Sequence, residues 1–370
     1  MLPQALQVGV VGTLCNLIKY LDVAILFLWY FGPKSRCKEL CSLIGCMFIL
    51  FYVSQLLASY FNGLPLYYDL RELVWAVVFV FLVHHFIAVE PYYFIKYLVI
   101  WLIFMTVLGS LFVCVNYTAD LSAVKEAAYL FGNRSNYALP FILAIYVTKI
   151  YGGTDKRNYY FVVLLTVIST ALLQLSTMII GLAIYFIIEF LFDKFKIRIN
   201  SYAALIITAI INILMVIGKN IPVINYIVVN ILGKDTTFTG RDIIWAEALQ
   251  KWFSSSIIWG KGNFAAIGKR GWIDGWLVAY NSSGEYWAHN FYLDVALTGG
   301  LFCLIVVIVC AVVVARKINK MEQKNNVAVA VFFSYLVMTI TGTLAPYTYW
   351  MLLYILLYYQ DYLQDCVAMN

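Results

Sequence analysis

Charged side chains are scarce in this chain of 370 residues. Asp, Glu, Lys and Arg make up 12% of it, whereas a soluble domain usually carries about a quarter. Hydrophobic residues make up 64%, and the mean hydropathy is +0.85. A chain with so few polar groups cannot cover its surface with them. The composition therefore excludes an ordinary soluble domain and predicts that lipid is its solvent.

Strand-like alternation of apolar and polar residues is also missing. The apolar runs are continuous, as in residues 301–314, and this excludes a transmembrane barrel. Since a helix needs about 20 apolar residues to cross a bilayer, we predict an all-α fold, a polytopic membrane helix bundle of about 11–12 transmembrane spans. These spans form one domain over residues 1–370. We expect no cleavable signal peptide, because no basic start precedes a short apolar core.

Motifs for metals and nucleotides are absent from the sequence. The cluster of Cys37, Cys41 and Cys46 lacks both C-x-x-C spacing and a nearby histidine. Neither G-x-x-x-x-G-K-S/T nor a G-x-G-x-x-G after a strand occurs. We therefore expect no metal and no cofactor. The formal net charge of +6 reflects basic loops and gives no reason to expect a nucleic-acid partner.

Eleven apolar segments are predicted to span the membrane. They cover residues 8–30, 40–60, 73–89, 95–115, 137–151, 159–173, 177–192, 202–218, 291–315, 327–341 and 347–359. The first contains Lys19 and Asp22, which can pair on one helical face, and splitting it would make the count twelve. Lys and Arg favour the cytoplasmic side of short loops, and the basic loops here all fall on one side. This topology puts the C-terminus in the cytoplasm and one large loop, residues 219–289, in the periplasm.

The large loop contains one helical pattern, in residues 242–253. Ile244, Ala248 and Trp252 recur at helical spacing, with Glu247 and Lys251 off that stripe. We expect this helix to lie flat on the membrane surface, with its tryptophans at the interface. The glycines between positions 260 and 284 predict a compact, turn-rich lid after it.

Three polar side chains on the predicted periplasmic side are candidates for chemistry. His289 lies where the large loop returns to the membrane, and an imidazole accepts a proton near neutral pH. Arg241 and Arg134, in separate loops, carry guanidinium groups that bind phosphate. The structural alternatives are an interfacial histidine, a solvated or headgroup-bound arginine, and a loop whose Asn136 caps the next helix. The convergence of His289, Arg241 and Arg134 on one side of the membrane favours a functional site.

The other two histidines are adjacent, at His84 and His85. They lie toward the cytoplasmic end of their predicted span, on the side opposite Arg241. We therefore expect them to be structural or interfacial.

The order of motifs around the large loop resembles a known family. The motifs are Gly240-Arg241-x-x-Ile244-Trp245, Gly260-x-Gly262, His289-Asn290-x-Tyr292-Leu293 with Gly300, and the earlier segment Gly-Asn-Arg-Ser-Asn-Tyr-Ala at residues 132–138. Together they are similar to the signature of bacterial O-antigen polymerases and O-antigen ligases. The resemblance covers residues 131–301 by motif and the whole chain by hydropathy.

This resemblance implies an inverting, metal-independent glycosyltransferase with a GT-C-like fold in the bacterial inner membrane, its active site facing the periplasm. It implies that His289 is the base that activates an acceptor hydroxyl. The residues it implies for binding the diphosphate of the donor are Arg241, Arg134, Arg270 and Lys261. The supporting residues are Asn290, Asn136 and Trp245. The implied partners are an undecaprenyl-diphosphate-linked oligosaccharide, membrane lipid, a chain-length regulator and a flippase.

Three departures from the family pattern bear on the activity. Residues 175–181 lack the arginine of a Ser-Arg-Gly-like step, which removes one expected phosphate contact. Eleven spans put the N-terminus outside, whereas the family has both termini inside. Leu304 replaces the small or tyrosine residue found four after Gly300 in ligases, and this favours a polymerase over an O-antigen ligase acting on lipid A-core. A lipid-linked glycan flippase or transporter and a glycan-binding scaffold are alternatives of other classes, although no internal repeat is evident.

Overall fold

The computed structural model describes residues 17, 20–21, 42–89, 91–115, 137–151, 156–173, 175–197, 199–217, 222, 226, 241–263, 273–274, 285–286, 288–321, 325–341 and 349–358. The helices are α1 (Leu43–Phe61), α2 (Tyr67–Val89), α3 (Pro91–Val115), α4 (Ala138–Tyr151), α5 (Lys156–Leu173), α6 (Ser176–Phe195), α7 (Ser201–Ile217), α8 (Arg241–Phe253), α9 (Phe291–Asn319), α10 (Asn325–Thr341) and α11 (Tyr349–Tyr358). Strands β1 (Ile273–Asp274) and β2 (Glu285–Tyr286) pair antiparallel, with Ile273 opposite Tyr286.

The prediction of an all-α membrane protein is confirmed. Within the described ranges, α1, α9 and the Tyr92–Val115 part of α3 are long and apolar enough to cross a membrane, and α7 and α11 are shorter apolar helices. Each predicted span from residue 40 onward overlaps one of the helices, and the predicted loop helix coincides with α8. The number of spans stays a prediction, and the first span, residues 8–30, lies almost entirely outside the described residues.

Hydrogen bonds at helix ends fix which ends of the bundle lie together. At the end of α9, the Asn319 side chain accepts from the Ser201 N–H, the first of α7, at 2.9 Å. Just before α9, the Asn290 side chain donates to that of Asn212, late in α7, at 2.6 Å. Helices α7 and α9 are therefore antiparallel. We call the end of the bundle that contains Asn290 the upper end, and the end that contains Asn319 the lower end.

Helix α9 is at the centre of the described structure and packs against α1, α7, α8 and α10. Large aromatic side chains fill the space around it. Phe291 lies with its ring centroid 5.2 Å from that of Tyr349 in α11, and Phe48 of α1 lies 4.9 Å from Trp350. By contrast, Ile210 of α7 and other outward apolar side chains are about half exposed. Such wide apolar faces are stable only when lipid covers them.

A break divides α9 at Gly300, whose φ of 69° and ψ of −166° are not helical. A break frees carbonyl and amide groups that would otherwise pair within the helix, and buried groups of this kind need new partners. Above the break, the carbonyl of Leu297 accepts from the Lys261 N–H at 2.7 Å, and that of Thr298 accepts from Gly262 N–H at 3.0 Å. A segment of the large loop thus completes the upper half of the helix.

The same segment also completes the lower half of α9. The N–H groups of Leu301 and Phe302 donate to the carbonyls of Ile257 and Ile258, at 2.8 and 3.3 Å. Residues 257–262, which we call the insert, therefore pair with α9 on both sides of the break. Irregular backbone is tolerated at membrane depth only when it is satisfied in this way.

Glycine is required where the insert meets the break. A Cβ added to Gly260 would lie 2.6 Å from both the Gly300 nitrogen and the Leu297 oxygen. Gly260 and Gly300 also have positive φ, at 70° and 69°, a conformation that residues with a side chain rarely adopt. This close approach of two backbones explains the glycines at both positions.

The insert is tied to a third element, the upper turn between α1 and α2. Asn62 donates from Nδ2 to the Gly260 carbonyl at 3.1 Å. The residue after the insert, Asn263, donates from its N–H to Ser59 Oγ at 2.8 Å and from Nδ2 to Asp69 Oδ1 at 3.1 Å. Residues 260–263, in the middle of the large loop, are therefore part of the bundle.

Candidate functional site

His289 lies at the upper end, between the loop and the start of α9. Its φ of 50° is in the left-handed region, where non-glycine residues are uncommon and histidine is somewhat enriched. The residues on either side, Ala288 and Asn290, are fully buried, whereas His289 is only partly buried. An unusual backbone conformation persists when its neighbours hold it, and such positions cluster at functional sites.

Asn290 fixes the chain directly after His289. It is the N-cap of α9, and its Oδ1 accepts from the N–H groups of Tyr292 at 3.1 Å and Leu293 at 3.2 Å. Its Nδ2 donates to Asn212 of α7. Both ends of the amide are thus used, and the supporting role predicted for Asn290 stays a prediction.

Ala288 fixes the chain directly before His289. Its N–H donates to Asp294 Oδ1 at 2.9 Å, and its carbonyl accepts from Trp245 Nε1 at 2.8 Å. Trp245 is fully buried, which places an indole N–H where only a specific acceptor can satisfy it. His289 is therefore held between two anchored residues, and the anchors come from α7, α8 and α9.

The apolar face of helix α8 packs against protein. Ile244, Trp245 and Ala248 are buried in one cluster with Leu293 and Leu297 of α9. The prediction that this helix lies flat on the membrane with its tryptophans at the interface is wrong for Trp245. An amphipathic stripe shows that one face is buried, but protein and lipid satisfy it equally well.

Arg241 brings a positive charge to the same place. It is the first residue of α8 and lies four positions before Trp245, so the two share one face of the helix. Burial, and in second place the charge of Arg241, lower the pKa of His289 from 6.5 to about 4. The imidazole is therefore neutral at pH 7 and has a free lone pair that can accept a proton.

The remaining predicted site residues are not brought to His289 within the described structure. The backbone of Lys261 pairs with Leu297, eight positions after His289, which is about 12 Å along a helix. Arg134, Arg270 and Asn136 lie outside the described residues, as do the side chains of His84 and His85. Their predicted roles stay predictions.

Two anchoring residues are not among those predicted from the sequence. Asn212 is a polar residue inside the apolar helix α7, and Asp294 is an acid in the first turn of α9. Polar residues within membrane helices are costly and usually have a partner or a function, so both could have been singled out by that rule. The second oxygen of Asp294, Oδ2, has no hydrogen-bond partner among the described residues.

No protein-family model, curated protein or solved structure gives a significant match to this chain. In the part of the chain that the structure describes, no group of three or more His, Cys, Asp and Glu side chains is arranged to hold a metal ion. The described site consists of a neutral histidine, an arginine at a helix N-terminus and the anchors that hold them. This arrangement can accept a proton and stabilise a nearby negative charge.

Proposed function

We propose that this protein is a polysaccharide polymerase of the O-antigen polymerase type. It would join undecaprenyl-diphosphate-linked repeat units by an inverting, metal-independent glycosyl transfer. The observation that carries this proposal is His289, held in its neutral form beside Arg241 at the upper end of a membrane helix bundle.

The depth of the site suits a lipid-linked diphosphate. Arg316 and Lys317 in the last turn of α9 favour a cytoplasmic lower end, with Arg316 near the inner boundary of the hydrocarbon. Gly300 lies sixteen positions before Arg316, which is about 24 Å along a helix. Since the hydrocarbon core is about 30 Å thick, Gly300 lies near its outer boundary. Phe291 is about 14 Å higher, so the neighbouring His289 is at the level of the lipid headgroups.

The residues provide for both halves of a glycosyl transfer. The acceptor hydroxyl oxygen attacks the anomeric carbon of the donor sugar, and its proton passes to the imidazole of His289. The bond from the anomeric carbon to the diphosphate oxygen breaks, and the electron pair leaves with undecaprenyl diphosphate. Arg241 offsets the charge on this leaving group, and the positive end of the α8 dipole adds to that effect.

Donor binding would also make His289 a stronger base. An imidazole whose pKa is about 4 accepts a proton only weakly at pH 7. A diphosphate bound to Arg241 offsets one of the two causes of the lowered pKa, so the pKa of His289 rises when the donor arrives. His289 is therefore a stronger base when the donor is bound than when it is absent.

The test replaces His289 by asparagine and by alanine in the full-length protein. Asparagine also tolerates a positive φ, so His289→Asn keeps the backbone conformation but removes the proton acceptor. We expect both variants to insert in the membrane and to lose chain extension, read as loss of the glycan ladder in cells. Gln250→Ala, on the exposed face of α8, is the matched control and should give a normal ladder.

A normal ladder with His289→Asn would reject His289 as the base. The glycan of cells without the protein identifies the reaction. Caps of a single repeat unit support a polymerase, whereas polymer left on the carrier lipid supports an O-antigen ligase instead.

A further inference from the structure

Residues 253–259, which we call the connecting turn, lead from the end of α8 into the insert, and Ile257 and Ile258 lie beside α9. The carbonyls of Ile257 and Ile258 accept from Leu301 and Phe302, the two residues directly below the break. Ile257 and Ile258 are therefore level with the outer part of the hydrocarbon core, since Gly300 lies near its boundary by the length of α9.

Three apolar side chains of the connecting turn point outward. Phe253, Ile257 and Ile258 are 59%, 43% and 56% exposed. The lipid-facing residues of the lower half of α9 directly continue this surface. They are Leu301, Phe302, Ile305 and Ile308.

Aromatic contacts join the two parts into one surface. The Trp259 ring lies with its centroid 6.0 Å from that of Phe302 on α9 and 5.1 Å from that of Phe61 at the end of α1. Phe302 and Phe61 are themselves exposed. The surface therefore extends across α1, the turn and α9 without a gap at the break.

The polar groups of the turn are directed back into it. Ser254 Oγ donates to the Lys251 carbonyl at 3.1 Å, and Ser255 Oγ donates to the Trp252 carbonyl at 2.8 Å. Ser256 Oγ accepts from the Trp259 N–H at 3.3 Å. The hydroxyl groups of Ser254 and Ser255 therefore donate within the protein, as hydrocarbon requires because it offers them no acceptor.

We infer that residues 253–259 are immersed in the hydrocarbon of the leaflet at the upper end, with Ile257 and Ile258 in contact with lipid acyl chains. The occupant of this surface is bulk membrane lipid, because the surface is continuous with the lipid-facing side of a membrane-spanning helix. The large loop thus contains a re-entrant turn directly after α8. This inference does not depend on the proposed glycosyl transfer.

The test measures depth with an environment-sensitive fluorophore on a single introduced cysteine. Ile258→Cys and, separately, Ile257→Cys are made in the full-length protein, labelled with NBD and reconstituted in phosphatidylcholine vesicles. The signal of the labelled parent chain, with its native cysteines, is subtracted. We expect lipids brominated in the acyl chain to quench both sites at least three-fold more than they quench Ala246→Cys, and aqueous iodide to do the reverse. Ala246 is the matched control, because it is exposed on α8 above the turn.

Ile257 and Ile258 are exposed, so neither cysteine removes a buried contact, and the two sites check each other. Equal quenching of position 258 and position 246 by brominated lipid, or strong quenching of positions 257 and 258 by iodide, would overturn the inference. Activity is not part of the measurement. Rejection of the polymerase proposal would therefore not change the quenching result, and a failed quenching test would not affect the polymerase proposal.

Discussion

The upper and lower parts of α9 differ in what surrounds them. Residues 291–299 are all buried except Tyr292, and they include Asp294 and Thr298. Residues 301–312 are apolar, and Leu301, Ile305 and Ile308 face outward. One helix thus changes its surroundings at Gly300. Above it nearly every side chain contacts protein, whereas below it one face contacts protein and the other contacts lipid. The upper part holds the candidate site, and the lower part carries a lipid-facing surface.

The largest loss of stability is expected from Gly300→Ala, at the boundary between the two parts of α9. A Cβ there would overlap the Ile258 carbonyl, and alanine disfavours a φ of 69°. We expect a loss of about 3 kcal/mol or more in the free energy of unfolding, since strain and overpacking add. Thermal unfolding in detergent measures it. The neighbouring lipid-facing change Leu301→Ala is the control and should cost less than about 1 kcal/mol. Equal losses in the two variants would mean that the break is not a packed joint.

A smaller loss of stability is expected from Trp245→Phe, which keeps an aromatic side chain but removes Nε1. The Ala288 carbonyl then loses its donor in a buried place, at a cost of about 1–3 kcal/mol. Because this carbonyl adjoins His289, we also expect chain extension to fall several-fold. Thermal unfolding and the glycan ladder report the two effects.

Trp252→Phe is the matched control for that variant. Trp252 donates to the Ile257 carbonyl at a partly exposed position, away from Ala288. Its loss should leave the ladder unchanged. If both tryptophan variants reduced chain extension equally, the bond to Ala288 would have no special role.

The smallest change in stability is expected from Arg241→Gln. Burial still lowers the pKa of His289 in this variant, but the positive charge is gone, so the pKa rises from about 4 and stays below 6.5. Because the pKa of His289 is lower in the folded chain, the unfolded chain takes up the proton first. Stability is therefore lost as the pH falls from about 6.5 to about 4, and this loss should be smaller in Arg241→Gln.

Histidine NMR titration measures this pKa directly, with His289→Asn to assign the resonance. Lys251→Gln, at the far end of α8, is the control and should leave the pKa of His289 unchanged. A pKa that does not move in Arg241→Gln would remove Arg241 from the site.

Local patterns explain what could be predicted from the sequence. Continuous apolar runs predicted the helices, and the period of the loop segment predicted α8, because hydropathy and periodicity depend on neighbouring residues. The position of His289 at the start of α9 followed from the end of the loop. The left-handed backbone conformation of His289 could not be predicted, because it depends on the anchors Asn212 and Trp245, which are distant in the sequence.

The joint at Gly300 could not be predicted for a similar reason. It is made by backbone groups of Ile257 and Lys261, whose side chains take no part in the pairing. Backbone hydrogen bonds leave almost no trace in composition beyond the glycines that permit close approach. The motifs with Gly260 and Gly300 marked the positions but not their contact.

The filled break has a mechanical consequence. A helix commonly bends at a break, because the unpaired backbone groups on each side of the break are free to move apart. Here the insert makes four hydrogen bonds to α9, two on each side of Gly300. These bonds hold the two parts of the helix together, so the break does not serve as a hinge. Any tilt of the upper part of α9 must carry the insert and the α1–α2 turn with it as one rigid block.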